Sequence, residues 1–194
     1  VKRRTAIAAL STAALMAWLP AARGADSLEV LQASAEPSSD GEAWLVSADF
    51  LITLNSSLEE AVNRGITLPF LVEFELRRPR WYWWDERAAT ATQSHRLSYQ
   101  VLTRQYRLLL NGVPMAFSSL GEALEAMSRL RGWRAAPRER TPGGGQYEGR
   151  LRLRMDTDQL PKSFQVTAIT NRDWTPASEW KRFALKLENP RSAP

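Results

Sequence analysis

LPFLVEFELRRPRWYWWDE, residues 68–86, is built in two halves that obey different constraints. In the first, Leu68, Phe70, Val72, Phe74 and Leu76 recur at every second position, and Glu73, Glu75 and Arg77 fill places between them. Successive side chains of a strand point to opposite faces, so this half is a β-strand with one apolar and one charged side. The second half breaks that rule. Trp81, Tyr82, Trp83 and Trp84 are consecutive, and four neighbours on a strand cannot all face one core. Some of the rings are therefore exposed or covered by another element.

The same period of two recurs on both sides of this stretch. Leu28 to Ala35 reads as a first strand, and Pro37-Ser38-Ser39-Asp40-Gly41 as a turn. Trp44, Val46, Ala48, Phe50, Ile52 and Leu54 then alternate with Ser47, Asp49 and Thr53. Between the two early strands and Leu68, Ser57-Leu58-Glu59-Glu60 predicts a capping box, and Gly65 a left-handed stop to a short helix. Downstream, a long strand over Ala88–Val101 turns near Thr103 and returns through Tyr106, Leu108 and Leu110. Asn111-Gly112 predicts a type I′ hairpin into Val113–Phe117, because both residues tolerate positive φ. A second helix is expected from the capping box Ser119-Leu120-Gly121-Glu122 through Leu130, ended by Gly132. Leu151, Leu153 and Met155 alternate with Arg150, Arg152 and Arg154; the segment around Phe164–Ile169 fits strand or helix, with strand preferred, and Phe183–Leu187 reads as a final strand.

Eight or nine one-sided strands bury their apolar faces best in antiparallel sheets packed face to face. The expected fold is mostly β: an antiparallel β-sandwich-like single domain with two short capped helices. About 170 residues after position 24 suit one such core.

Residues 1–24 read as a signal peptide. Lys2, Arg3 and Arg4 precede an apolar run from Thr5 to Leu19, Pro20 ends it, and Ala22 and Gly24 sit at the −3 and −1 positions of a cleavage site. The run is shorter than the roughly 20 residues of a membrane span. The expected organisation is a leader at 1–24 and one β-rich domain at 25–194, with a flexible loop at about 137–145. The expected location is the periplasm, with membrane contact only through the leader before cleavage. No cysteine is present, so no disulfide, thiol chemistry or cysteine-based metal site is available.

Removing the leader changes the charge argument. Four of the 26 basic residues lie in it and none of the 21 acidic ones does, which leaves a mature chain close to neutral. The basic pI therefore gives no support to nucleic-acid binding. The remaining charge is lopsided: ten acidic residues and one basic fall in 25–75, and the excess reverses in 76–194. Acidic early strands lying beside basic late ones explain that pattern more simply than a binding face does. The Arg150, Arg152 and Arg154 row is the expected partner of Glu73 and Glu75.

Catalytic chemistry finds few groups. His95 is the lone histidine, which argues against zinc, and no strained nucleophile turn surrounds any serine. Asp156-Thr157-Asp158 lacks the glycine and distal glutamate of a calcium loop, and Gly143-Gly144-Gly145 lacks the Lys-Ser/Thr of a phosphate cradle. No metal or other cofactor is expected. Asp85 and Glu86 could serve as acid and base of an envelope glycan- or lipid-acting hydrolase. Adjacent strand residues diverge, however, whereas retaining chemistry needs carboxyls about 5 Å apart. The candidate binding residues are Arg78, Arg80, Trp81, Tyr82, Trp83 and Trp84, which offer ring faces for stacking and guanidinium groups for anions.

The stretches LEEAVNRGITLPFLVEFELRRPRWYWWDE, LSYQVLTRQYRLLLNG, GRLRLRMDTDQLPK, NRDW and EWKRF resemble an uncharacterised secreted proteobacterial family catalogued as domain of unknown function 4390. The resemblance covers about Leu28 to Leu187 and implies export and domain extent, and it transfers no catalytic residue. The functional expectation is a non-enzymatic periplasmic binding or interaction domain. Its partner would be an envelope protein or a glycan or lipid headgroup. The rivals are the hydrolase and a structural subunit that pairs through a sheet edge.

Overall fold

The computed structural model of the protein describes residues 27–78, 86–141 and 146–185. Its strands are β1 (Ser27–Pro37), β2 (Ala43–Thr53), β3 (Leu68–Arg78), β4 (Glu86–Gln100), β5 (Gln105–Leu110), β6 (Val113–Phe117), β7 (Arg129–Pro137), β8 (Glu148–Met155) and β9 (Lys181–Ala184). They form two antiparallel sheets, one ordered β1-β2-β7 and the other β6-β5-β4-β3-β8-β9. The sandwich-like single domain expected from the alternation is the fold observed.

The core lies between the sheets. Trp44, Val46, Ala48 and Phe50 of β2 face Leu68, Phe70, Val72, Phe74 and Leu76 of β3 and Leu151, Leu153 and Met155 of β8 across it, all buried. Phe74 ties the layers together. Its ring meets Trp133 of β7 edge-on, with centroids 6.4 Å apart, and Phe183 of β9 at 6.3 Å. The indole of Trp44 is fully buried, and its N–H donates to Thr141 Oγ1 at 3.0 Å, as a buried polar atom requires.

The hairpin at Asn111-Gly112 forms as the sequence predicts, with φ of 47° and 87° at the two turn residues. Helix α1 (Ser56–Asn63) starts two residues before the expected capping box. Asn55, not Ser57, is its cap and accepts from Leu58 N at 2.9 Å, while its Nδ2 donates to the Asp173 carbonyl at 2.8 Å. Asparagine wins because one side chain fixes both the helix start and the distant 172–174 turn. Helix α2 (Leu120–Met127) begins at Ser119 as expected.

Two expectations are corrected. Gly132 does not end α2, which stops at Met127. Leu130 instead lies on β7, a strand the helix reading absorbed. Gly132, at φ 59°, serves a bulge where the β2–β7 register slips between Val46 and Ala48, and its N–H donates to Ser47 Oγ. The segment Phe164–Ile169 is not a strand. It lies in a third helix, α3 (Lys162–Thr170), where Phe164 stacks on Trp174 with centroids 5.0 Å apart. Pro161, at φ −55°, presets the first helical turn, and Gln165 reaches back to the Asp158 and Leu160 carbonyls. Those local bonds outweigh the strand preference of Val166 and Ile169. The connection expected to be flexible over about 137–145 is described only in part. It has defined structure as far as buried Thr141, through a 3₁₀ turn at Arg138–Arg140; residues 142–145 lie outside the described part.

The leader expected at 1–24 also lies outside the described residues. Among the described residues, no helix is long and apolar enough to cross a membrane.

Candidate functional site

The outer face of the six-stranded sheet follows directly from the period of two. With Phe70 to Leu76 turned inward, β3 must turn Glu73, Glu75 and Arg77 outward, and β8 must do the same with Arg150, Arg152 and Arg154. The register sets Glu73 opposite Arg152 and Glu75 opposite Arg150. Glu73 accepts from Arg152 Nε at 2.5 Å and from Arg154 Nε at 2.9 Å. Burial alone would raise the Glu73 carboxyl. The hydrogen bonds from Arg152 and Arg154, with their charges, outweigh it and hold the group below its ordinary range.

Glu75 departs from the expected ladder. It is taken by Arg77 at 2.8 Å and Arg87 at 3.6 Å rather than by Arg150. Arg77 lies two residues further along the same face of β3, and the bulge after Leu76 brings Arg87 opposite it. Arg150 is left without a carboxylate among the described residues. Its guanidinium lies over the Trp180 ring at 5.3 Å, and Arg152 covers the same ring at 4.5 Å. On β9 the residue directly opposite Arg150 is Arg182, whose nearest acid is Glu148 at 3.8 Å. Six arginines (77, 87, 150, 152, 154 and 182) thus share one face with Glu73, Glu75 and Glu148, and Asp156 lies at its rim.

Arg78 ends β3, exposed, with its guanidinium over the ring of buried Tyr147 at 6.0 Å, and the alternation sets it on the side opposite Arg77. The other candidates, Arg80, Trp81, Tyr82, Trp83 and Trp84, lie outside the described residues, as does Asp85. The part of the site that sequence reasoning missed is Trp180 with Arg150 and Arg182. The signal was available: the arginine row on β8 outnumbers the glutamates facing it.

His95 points the opposite way, into the core. It is 2% exposed, and neither ring nitrogen has a hydrogen-bond partner; Gln93, two residues back on the same face, also has an unpaired Oε1. Burial pushes the His95 imidazole down to about 4. A base that activates a serine needs a hydrogen bond to it, and His95 makes none. Among the described residues, no three His, Asp or Glu side chains converge as a metal site would require.

A recess of about 560 Å³ opens beside the β1–β2 turn, lined by Gly41, Glu42, Arg134, Arg138 and Glu139 among others. Its carboxylate neighbour Asp40 is fully engaged. Ser38, the Glu42 N–H and Arg134 at 2.9 Å all bond to it, and they hold it far below the usual carboxylate range.

No curated protein and no solved structure matches the chain. The family described as domain of unknown function 4390 (DUF4390) matches residues 25–184, nearly the whole span of the β-sandwich and its outer face, and the protein belongs to that family.

Proposed function

We propose that the protein is a non-enzymatic binding domain of the periplasm that holds an anionic partner on the outer face of its six-stranded sheet. The observation that carries this reading is the unanswered charge of Arg150. It sits beside Trp180 and opposite Arg182 on a face whose two central glutamates already serve four other arginines. In the sequence, the aromatic-basic segment that begins at Arg78 supplies further rings for stacking and arginines for anions. An envelope protein with acidic side chains, or an anionic glycan or lipid headgroup, meets these requirements.

Pairing through a sheet edge is less well supported. Edge strand β6 exposes Val113 and Met115, but Pro114 sits between them, opposite Leu109. In a two-residue hairpin that position turns its nitrogen away from the partner strand, so the proline removes an outward donor and blunts the edge.

A photo-crosslinking residue at Thr92, exposed on the outer face, tests the proposal in intact cells against one at Gln32, exposed on β1 of the other sheet. A discrete adduct from Thr92 and none from Gln32 is expected. Silence at both positions, or equal labelling, overturns it.

A further inference from the structure

We infer that Arg150 and Arg182, with the Trp180 indole as a floor, form an oxyanion-binding notch that takes a carboxylate or phosphate group. The inference rests on the binding reading above and narrows it to one place on the face.

Three observations converge there. First, Arg150 and Arg182 are directly opposite each other across β8 and β9. Like charges in that relation repel, and neighbouring strands ordinarily set opposite charges there. Second, Arg150 is already partly desolvated, since its Nε is buried with no acceptor. A guanidinium that has given up water on one side without gaining a carboxylate binds an incoming anion more strongly than a fully hydrated one. Third, the Trp180 ring fixes where that guanidinium lies, 5.3 Å from the centroid, and holds Arg152 beside it at 4.5 Å. The two arginines therefore project from facing positions of β8 and β9 on the outer side of the sheet. An oxyanion between them relieves the repulsion and accepts from both guanidinium groups.

The closest acid does not fill the role. Glu148 stands 3.8 Å from Arg182 Nε, beyond hydrogen-bond length, and Arg182 is 65% exposed. On the other side, Glu75 is held by Arg77 and Arg87.

The test follows the side-chain Nε–Hε resonance of Arg150 by NMR. The leaderless protein is titrated with inorganic phosphate, with acetate and with chloride at constant ionic strength. A saturable shift with phosphate or acetate but not chloride is expected, weakened about tenfold or more in Arg182→Gln. The control Arg129→Gln, on the other sheet, leaves it unchanged. Vesicles containing phosphatidylglycerol, compared with phosphatidylcholine alone, separate a lipid headgroup from a free anion as the source. Equal response to chloride, or full affinity in Arg182→Gln, overturns the notch. If the Thr92 adduct persists in Arg182→Gln while the resonance stays silent, the notch fails and the wider binding face stands. If Thr92 also gives no adduct in the unmodified protein, both readings fail.

Discussion

Acidification isolates the contribution of one side chain. His95 is buried on the core face of β4 with no partner for either nitrogen, and burial takes it from an ordinary value of 6.5 to about 4. Between those values the unfolded chain binds a proton that the folded chain refuses, so stability must fall as pH falls. Each pH unit is worth about 1.4 kcal/mol, which puts the full loss at about 3 kcal/mol, most of it realised by pH 4.5. Most of that window belongs to His95, because Asp40, Glu73 and Glu122 are held below their ordinary values of 3.8 and 4.5 and lose most of their stabilising effect below them. Urea unfolding followed by the fluorescence of the eight tryptophans measures the difference between pH 7.5 and 4.5. His95→Leu should remove the slope across this window. At pH 7.5 it should be neutral or stabilising by about 1–3 kcal/mol, since it deletes two orphaned polar atoms at similar volume. The reasoning is refuted if the wild-type protein is equally stable at both values, or if His95→Leu keeps the slope.

Three further substitutions probe the frame that holds the face. A Cβ at Gly149 would stand 2.6 Å from two atoms of the Phe183 ring, so Gly149→Ala should cost about 1–3 kcal/mol and loosen β9, seen as faster amide exchange over Lys181–Ala184. Trp44→Phe removes the indole N–H from Thr141 and leaves space in a fully buried site, for a loss of about 2–3 kcal/mol in urea unfolding. Asn55→Ala should cost about 1–3 kcal/mol by uncapping α1 and freeing the Asp173 carbonyl. Asn55→Asp should recover part of that loss, because it restores the acceptor for Leu58 N but not the donor.

What was legible in the sequence was whatever a period of two can express. The strand Leu68–Arg78, the Arg150–Arg154 row opposite Glu73 and the Asn111-Gly112 hairpin all followed from local rules. Strand β7 was hidden because Leu120, Ala123, Leu124, Met127 and Leu130 keep helical spacing across its start, and because its bulges break the alternation. Helix α3 was misread because Phe164, Val166 and Ile169 favour strands, while the bonds that fix it involve Pro161 and Gln165. The site was half legible. Its arginine row could be seen in the sequence; that Glu75 would be shared by Arg77 and Arg87 could not, because the approach of Arg87 depends on one bulge after Leu76.

That bulge also shows why the lopsided charge of the chain is not itself the functional signal. Acidic early strands do lie beside basic late ones, in both sheets. Asp49 meets Arg131 at 2.5 Å and Asp40 meets Arg134 at 2.9 Å where β2 and its turn adjoin β7, while Glu73 meets Arg152 and Arg154 where β3 adjoins β8. Exposed pairs such as the first two add little stability, but they cancel the charge of their neighbourhood. On the outer face of the six-stranded sheet such pairs take up Arg77, Arg87, Arg152 and Arg154 and leave Arg150 without a carboxylate among the described residues, directly opposite Arg182. A chain that needed only to fold could set an acid at either position without disturbing the core, since both side chains project from the outer face. The binding proposal therefore depends on that local remainder, not on the net charge, and a substitution confined to Arg182 is enough to test it.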